Sequence, residues 1–482
     1  MSTNCNNAPL TVYGASNPWS VAEVYHLYRR AAFGISPEDA QVILTKTPQQ
    51  AVDDLVDAAF SLAPIAAPSW ADNFSDSDLN NNDLKRDFRY TMLSELKNND
   101  LRDRLLLFWS NHFVTEYSQY RCPSYWYDYI NILQRNCLGN LKTFVHEIGL
   151  APAMLSYLNG NQNRNNRPNE NYARELYELF TLGEGIGYTQ TDIEETAKAL
   201  TGYTLRADRC APYTFLEDHF NATDKTIFGR TGNWGYDDVI DILFEERPNE
   251  IGKLIVTKLY RYFVHPELPA ESILDELASD FVNSGFEIEP VVRKLLRSEH
   301  FFDTNAQGVI IKSPLDLLIP FYNQFMMPFP VLNEDYIAAA LFNWSGIMGQ
   351  VFFQPPDVAG WKGDKSWINS SLLLNRWRYH EQMLNRLYYH YDKELFRDLA
   401  IAIVNDPGED DVAVISNKIL ETYLPKSLLT ASDYQNALET FKSNVPANYF
   451  DEGIWDLQFP TVPLQMWVLL IHITAQPEYQ LK

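Results

Sequence analysis

Apolar residues recur along most of this chain at the spacing of amphipathic helices. The clearest example is Tyr172, Leu176 and Leu179, which fall at positions i, i+4 and i+7. That spacing places side chains on one face, because an α-helix completes a turn in about 3.6 residues. We therefore predict a helix over Asn169–Leu182, with Asn169 as its N-cap and Gly183 as its stop.

A second helix is predicted directly after the first. Thr191 with Glu194 three residues later has the pattern of a capping box, in which each side chain bonds a free amide at the helix start. An apolar stripe follows, and Gly202 ends it. Residues 169–202 are therefore predicted to form a helical hairpin.

The same periodicity predicts a mainly α fold, a multi-helix globular bundle. The segment Leu205–Gly235 differs, because its short β-like runs and turn residues favour an irregular hairpin excursion. The other predicted helices are Ser20–Phe33, Asp83–Phe113, Trp126–Asn136, Leu141–Gly149, Asp237–Glu245, Asn249–Val264, Ser272–Asn283, Pro290–Ser298, Leu315–Phe325, Tyr336–Phe342, Ser370–Tyr389, Lys393–Val404, Val412–Leu424, Ala431–Asn444 and Leu464–Ala475.

The domain organisation follows from composition along the chain. Residues 1–19 are polar and rich in Asn and Pro, and we predict a loose N-terminal arm there. The remainder contains no repeat of fixed period and no low-complexity linker. We predict a single large helical domain over 20–482, with any subdivision near the 205–236 insertion or after residue 389.

Charge and composition narrow the classes of partner. The formal net charge of −24 argues against nucleic acid, because phosphate binding uses clustered Lys and Arg. No window is apolar enough for a transmembrane helix, so no integral membrane segment is predicted. Aromatic residues make up 14% of the chain and could stack on sugar rings, although aromatic side chains in an ordinary core are the commoner case.

The cysteines and the N-terminus leave the compartment open. Cys5, Cys122, Cys137 and Cys210 form no CxxC pair, and they fit either one or two disulfides in an exported protein or free thiols in a reducing compartment. The first residues lack the basic and apolar regions of a secretory signal. The localisation is therefore left undetermined.

The first predicted helix also has a polar side. Asn171, Glu175 and Glu178 recur at i, i+4 and i+7, and Arg174 lies one turn from both Glu170 and Glu178. One interpretation is a solvated face with ordinary ion pairs. The other is a buried Asn/Arg/Glu cluster that lines a pocket, where burial would perturb the carboxylates. The spacing alone favours the solvated face.

Histidines provide two further candidates for chemistry. His112, beside Asn111 in an apolar segment, fits either a base or ligand or a core histidine that bonds a backbone carbonyl, and the core histidine is commoner. Glu23 and His26 have the spacing of a metal pair in a helix bundle, but such sites need two pairs, so a structural role is favoured. No HExxH, P-loop or GxSxG motif occurs; no metal site is predicted, and the cofactor is left unknown.

Several segments together resemble a large bacterial family called domain of unknown function 1800. The resemblance implies a mostly helical fold and no established reaction. It also implies an exported or envelope setting, and a second uncharacterised, sulfatase-like family encoded nearby as a partner. The segments that carry it are His26–Gly34, Phe108–Phe113, Asn169–Gly202, Lys225–Gly229, Lys312–Pro314, Pro355–Trp361, Trp367–Asn369 and Pro477–Leu481.

The resulting hypothesis is an exported or envelope-associated protein that binds or acts on carbohydrate or a similar polar polymer. The alternative is a non-catalytic assembly or escort partner of the sulfatase-like protein. Under the first hypothesis Glu175 is an acid or base, His112 is a second catalytic residue, and Trp361 stacks on a glycan. The predicted binding residues are Asn171, Arg174, Lys312, Asp357, Trp361 and Trp367. The sequence leaves open whether the protein is an enzyme.

Overall fold

The fold is mainly α. The computed structural model describes residues 8–14, 16–74, 81–96, 100–325 and 334–482. Twenty-three α-helices lie in these ranges: α1 (Val21–Ala31), α2 (Pro37–Leu44), α3 (Pro48–Ser61), α4 (Asn81–Leu96), α5 (Leu101–His112), α6 (Pro123–Asn136), α7 (Leu141–Leu150), α8 (Pro152–Tyr157), α9 (Asn171–Glu175), α10 (Gln190–Ala199), α11 (Tyr236–Glu246), α12 (Pro248–Phe263), α13 (Glu271–Asn283), α14 (Ile288–Arg297), α15 (Glu299–Phe302), α16 (Pro314–Gln324), α17 (Glu334–Ile347), α18 (Ser370–His390), α19 (Leu395–Val404), α20 (Val412–Tyr423), α21 (Ala431–Lys442), α22 (Ala447–Asp451) and α23 (Val462–Thr474).

Polar caps set where many of these helices begin. Ser20 and Glu23 form a capping box at α1, and Ser313 and Asp316 form one at α16. Each cap satisfies amides that have no partner inside the helix, and its loss typically costs about 1 kcal/mol. The segment predicted as one helix over Asp83–Phe113 is two helices, the second of which is capped by Asp100.

The capping box predicted at Thr191 and Glu194 is wrong. Helix α10 is capped two residues earlier, by Thr189 with Asp192. Thr189 keeps an extended backbone, whereas Thr191 already lies inside the helix. Asp192 also accepts a hydrogen bond from the Phe228 amide at 2.8 Å, so the cap ties α10 to the neighbouring hairpin. The contact with Phe228 therefore distinguishes the Thr189–Asp192 pair from the predicted Thr191–Glu194 pair.

The predicted hairpin excursion is confirmed as two small antiparallel sheets. Strand β1 (Tyr203–Leu205) pairs with β2 (Thr214–Phe215), and β3 (Lys225–Ile227) pairs with β4 (Arg230–Gly232). A disulfide between Cys122 and Cys210 joins the β1–β2 connection to the start of α6. Cys137 is a buried free thiol, and Cys5 lies outside the described residues.

Part of the predicted N-terminal arm packs on the helical body. The Tyr13 amide donates to the Arg297 carbonyl at 2.7 Å, the Glu299 amide donates to the Thr11 carbonyl at 2.8 Å, and Leu10 is buried. Residues 8–14 therefore contact the helical body, and Leu10 and Tyr13 supply buried apolar side chains. The loose arm over 1–19 stays a prediction, and residues 1–7 and Ala15 lie outside the described residues.

Apolar contacts run through the molecule from Leu10 to Tyr479 and form one connected core. The domain boundaries proposed near 205–236 and after 389 stay predictions. Within the described ranges, no helix combines the length and the apolar character that a membrane span requires.

Candidate functional site

A cavity of about 480 Å³ opens beside the C-terminal end of α5. Its walls come from α5, α12, the segment 310–316, the loop 350–367 and Lys482. The aromatic lining residues are Phe108, Tyr262, Phe352, Phe353, Trp361 and Trp367, and the charged ones are Lys258, Arg261, Asp316, Lys362, Asp364 and Lys482. A concave, largely aromatic space with a few charged groups is typical of a small-molecule site.

A π-helix positions part of this wall. After α9 the helix widens, and residues Leu176–Thr181 adopt a π-helix. The Leu182 and Gly183 amides both donate back to the Tyr177 carbonyl, at 2.8 and 3.0 Å. A regular α-helix would instead direct the Gly183 amide to the Leu179 carbonyl. The wider turn therefore leaves the Leu179 carbonyl available to side chains, and such turns are frequent at functional sites.

The Leu179 and Phe180 carbonyls hold Lys258 and His112. His112 Nε2 lies 3.0 Å from the Phe180 carbonyl oxygen, and Lys258 Nζ donates to the Leu179 carbonyl at 2.9 Å. Lys258 Nζ also lies 2.9 Å from His112 Nδ1. Because the Phe180 carbonyl can only accept, Nε2 carries the imidazole proton and Nδ1 accepts from Lys258. The tautomer of His112 is thus fixed by its two partners.

The protonation of this pair is shifted by its surroundings. Burial lowers the pKa of His112 well below its ordinary range, and the neighbouring Lys258 charge lowers it further. Burial also lowers the pKa of Lys258 to about 8. His112 is therefore a neutral imidazole at neutral pH, and Lys258 is a cation that loses its proton more readily than an ordinary lysine.

Asn111 fixes the loop on the opposite wall. Its Nδ2 donates to the Trp361 carbonyl at 3.1 Å, and its Oδ1 accepts from the Trp361 amide at 2.7 Å. Gly360 has a φ of +80°, and a Cβ there would lie 2.3 Å from Asn111 Oδ1. Glycine is thus required at this position for its backbone conformation and for the close approach of Asn111.

A buried ion group lies at the cavity wall next to α16. Asp316 pairs with Arg104, and Lys482 Nζ donates to Asp316 Oδ2 at 2.7 Å. Burial alone would raise the pKa of Asp316, but the two cations outweigh it and lower that pKa below its usual range. Burial and repulsion by Arg104 lower the pKa of Lys482 to about 7. Arg104 therefore keeps Asp316 ionised even when Lys482 is neutral.

The predicted site residues divide between several places. Of the eight, His112, Trp361 and Trp367 line the cavity. Lys312 is buried and does not line it; its Nζ donates to the Tyr479 carbonyl at 2.8 Å, and its own carbonyl accepts from Arg376 at 2.8 Å. Burial lowers the pKa of Lys312 well below that of an ordinary lysine. Lys312 thus anchors the C-terminal segment.

The predicted Asn/Arg/Glu cluster does not converge on the cavity. Arg174 bonds Glu170 at 3.0 Å and Glu178 at 3.2 Å, which are ion pairs one helical turn apart. Asn171 donates to the Leu158 carbonyl at 3.2 Å. These side chains are partly exposed, because this face of α9 and the π-helix points away from the core. The buried site expected from Asn171, Arg174 and Glu175 together with His112 is therefore not formed as one unit.

Glu175 and Asp357 lie near a different side chain. Burial raises the pKa of Tyr157 to about 12, and the charges of Glu116, Asp357 and Glu175 contribute to that shift. Glu175 itself has a raised pKa, through burial and through repulsion by Glu178. Asp357 is exposed and accepts a turn hydrogen bond from the Ala359 amide at 2.9 Å. Neither carboxylate lines the cavity.

Sequence reasoning missed Lys258, although a signal was present. Ile251, Ile255 and Tyr262 occupy positions i, i+4 and i+11 of the apolar stripe of α12. Lys258 stands at i+7, where the same stripe calls for an apolar residue. A lysine on the core-facing side of a helix is costly unless it has partners, so its position indicated a buried role.

The described residues contain no group of three or more His, Cys, Asp or Glu side chains arranged to hold a metal ion.

Comparisons with curated proteins and with solved structures found no match. The model of one family matches residues 26–481, nearly the whole chain. The chain therefore belongs to the protein family of unknown function DUF1800.

Proposed function

We propose that this protein binds an anionic polar ligand, with an acidic carbohydrate as the leading class, in the cavity beside Lys258. The observation that carries the proposal is the charge of the lining. Four cationic side chains, Lys258, Arg261, Lys362 and Lys482, face two carboxylates, Asp316 and Asp364. The positive lining of the cavity attracts anions. The rest of the surface repels them, because the chain has a net charge of −24.

The Asp316 carboxylate subtracts little from the positive charge of the cavity. It is already paired with Arg104, a buried guanidinium that does not line the cavity. An incoming anion therefore meets little repulsion from Asp316. The remaining lining carboxylate, Asp364, accepts a long hydrogen bond of 3.4 Å from the Ile311 amide.

Shape and aromatic content support a sugar-sized ligand. The cavity volume of about 480 Å³ falls in the range of roughly 300–1,000 Å³ that small-molecule sites occupy. Trp361 and Trp367 line it, and their large flat rings offer surfaces for the apolar faces of sugar rings. Trp361 is held in place through its backbone by Asn111, so little order has to be gained on binding.

Calorimetric titration tests the proposal. We expect the protein to bind a galacturonic acid trimer and to bind the neutral galactose trimer at least about tenfold more weakly, because a hydrogen bond to a charged group contributes about 1.5–3 kcal/mol. Lys258→Met should weaken binding of the acidic trimer by a similar factor. Lys253→Met is the matched control, since Lys253 lies on α12 outside the cavity and pairs with Asp275.

Two outcomes would contradict the proposal. One is equal affinity for the acidic and neutral trimers, and the other is an equal loss of affinity in Lys258→Met and Lys253→Met. The alternative, an escort for a sulfatase-like protein, stays a prediction. It requires no ligand in the cavity and becomes the better account if neither trimer binds.

A further inference from the structure

We propose that Lys258 is a reactive amine that adds to the carbonyl carbon of a ligand in the cavity and forms an imine with it. The ligand class is an aldehyde or ketone that also carries an anionic group, such as the open-chain reducing end of an acidic sugar or a 2-oxo acid. The inference rests on the proposed function, because it uses the same cavity, and it adds a reaction to the binding.

The hydrogen bonds of Lys258 leave one position on its nitrogen for a ligand. Two N–H groups are directed to the Leu179 carbonyl and to His112 Nδ1. Both partners are acceptors, since His112 carries its proton on Nε2 against the Phe180 carbonyl. The third tetrahedral position of the nitrogen holds a proton in the ammonium form and a lone pair in the neutral form. Lys258 lines the cavity, where that lone pair can meet a carbonyl carbon.

Burial, and not the two partners, favours the neutral amine of Lys258. Both are uncharged, and no carboxylate of the described residues forms a salt bridge with Lys258 to hold the proton. The other charged groups that line the cavity are Arg261, Lys362, Lys482, Asp316 and Asp364. The lowered pKa of Lys258, about 8, agrees with this environment. Reactive lysines in enzymes can be activated in the same way, by desolvation in a buried pocket.

Lys482 shares the cavity but has a different partner. Its pKa is also lowered, to about 7, but its Nζ is held by the Asp316 carboxylate at 2.7 Å, and an imine would give up this charge-assisted bond. Attack by Lys482 would also leave Asp316 with Arg104 alone. The geometry therefore assigns the reaction to Lys258.

The reaction balances without an oxidant or reductant. The lone pair of the neutral Lys258 nitrogen attacks the carbonyl carbon, and a C–N bond forms as the C=O π electrons move to oxygen. The nitrogen loses a proton and the oxygen gains one, which gives a carbinolamine. A second proton moves from nitrogen to the hydroxyl group, water leaves, and the C=N bond forms. His112, with its low pKa, is a positioning residue here and not the base.

Reductive trapping with glyoxylate as the probe tests the inference. The protein is incubated with glyoxylate and sodium cyanoborohydride, and the labelled lysines are located by peptide mass spectrometry. At pH 8 we expect Lys258 to be labelled at least about tenfold faster than Lys253, because an ordinary lysine with a pKa near 10.4 is almost wholly protonated there. The labelling rate of Lys258 should rise between about pH 7 and 9 and then level off.

Variants separate chemistry from folding. Lys258→Arg keeps the positive charge and the hydrogen-bond donors but has no accessible neutral form, so the label at position 258 should vanish while thermal unfolding stays close to wild type. If this variant fails to fold, the wild-type comparison of Lys258 with Lys253 and Lys482 still decides the question. Labelling of Lys482 in preference to Lys258, or equal labelling of Lys258 and Lys253, would overturn the inference.

The two proposals fail in different ways. If the acidic trimer binds but glyoxylate does not label Lys258 selectively, the binding function stands and the imine chemistry is wrong. If Lys258 is labelled selectively and the acidic trimer neither binds nor slows the labelling, the amine is reactive but the ligand class is wrong.

Discussion

The segment 171–181 presents two sides that use polar groups in opposite ways. On the outer side, Arg174 bonds Glu170 and Glu178 in partly exposed ion pairs. On the inner side, the Leu179 and Phe180 carbonyls bind Lys258 and His112 beside a cavity. Exposed pairs contribute little because water competes with them, whereas buried polar groups depend fully on their partners. The side with fewer charges therefore carries the larger energies and the candidate chemistry.

The largest expected effect concerns Asp316, whose buried ion group lies in the wall of the same cavity. Asp316→Asn removes the one charge that compensates Arg104 and Lys482, and loss of a buried partner typically costs about 3–5 kcal/mol. Denaturant unfolding measures this loss. The matched control is Asp54→Asn, which breaks the exposed Lys46–Asp54 pair and should cost less than about 1 kcal/mol.

The pH dependence of stability checks the same residue. The folded-state pKa of Asp316 is lowered, so its stabilising contribution is present above the unfolded value of about 3.9 and is lost as the pH falls below it. Unfolding experiments between pH 5 and 3 should therefore show a flatter loss of stability in Asp316→Asn than in the wild type. Parallel curves for the two proteins would contradict the assignment.

Gly360→Ala tests the wall that Asn111 fixes. The new Cβ would meet Asn111 Oδ1 at 2.3 Å and would also occupy a strained backbone conformation, so we expect a loss of about 2–3 kcal/mol. Gly229→Ala is the control, because Gly229 also has a positive φ, of +83°, but a Cβ there meets nothing within 4 Å. Its cost should be about 1 kcal/mol, from backbone strain alone. Equal unfolding free energies for the two variants would contradict the close contact with Asn111.

Lys258→Met should stabilise the protein while it weakens ligand binding. The pKa of Lys258 is lowered to about 8 in the folded state, so below that pH the unfolded chain holds the proton more tightly and the ammonium costs stability. Removing the group should raise the unfolding free energy at pH 7 by roughly 1–2 kcal/mol, after the loss of two hydrogen bonds. The gain should shrink as the pH rises from about 8 towards 10.4. A gain that does not depend on pH would contradict this account.

Sequence patterns predicted the helices well and the site only in part. Periodicity and caps are local, so the predicted helices α1, α12 and α18 agree with the structure to within about two residues. His112, Trp361 and Trp367 line the cavity, but their partners Lys258 and Asn111 are set by contacts between distant segments. The π-helix could not be predicted either, because Leu176–Thr181 keeps the composition of an ordinary helix.

The expectation that the Asn/Arg/Glu group lines the cavity also rests on local sequence information alone. Asn171, Arg174 and Glu175 share one helical segment with the carbonyls that hold Lys258, so their position along the chain is close to the cavity. A helix face, however, is defined by rotation about its axis, and Arg174 points to the side where Glu170, Glu178 and Gln190 lie. Spacing identifies which residues share a face but not which face is buried.

The smallest expected effect lies on that outer side. Arg174→Ala removes two ion pairs one turn apart, each worth about 0.2–0.5 kcal/mol, and we expect a loss of at most about 1 kcal/mol. Binding of the galacturonic acid trimer should not change, because Arg174 does not line the cavity. The stability loss should also disappear in high salt, since exposed pairs are screened at distances of a few ångströms. A larger loss that persists in high salt, or weaker binding of the acidic trimer, would mean that the two sides of the segment are coupled.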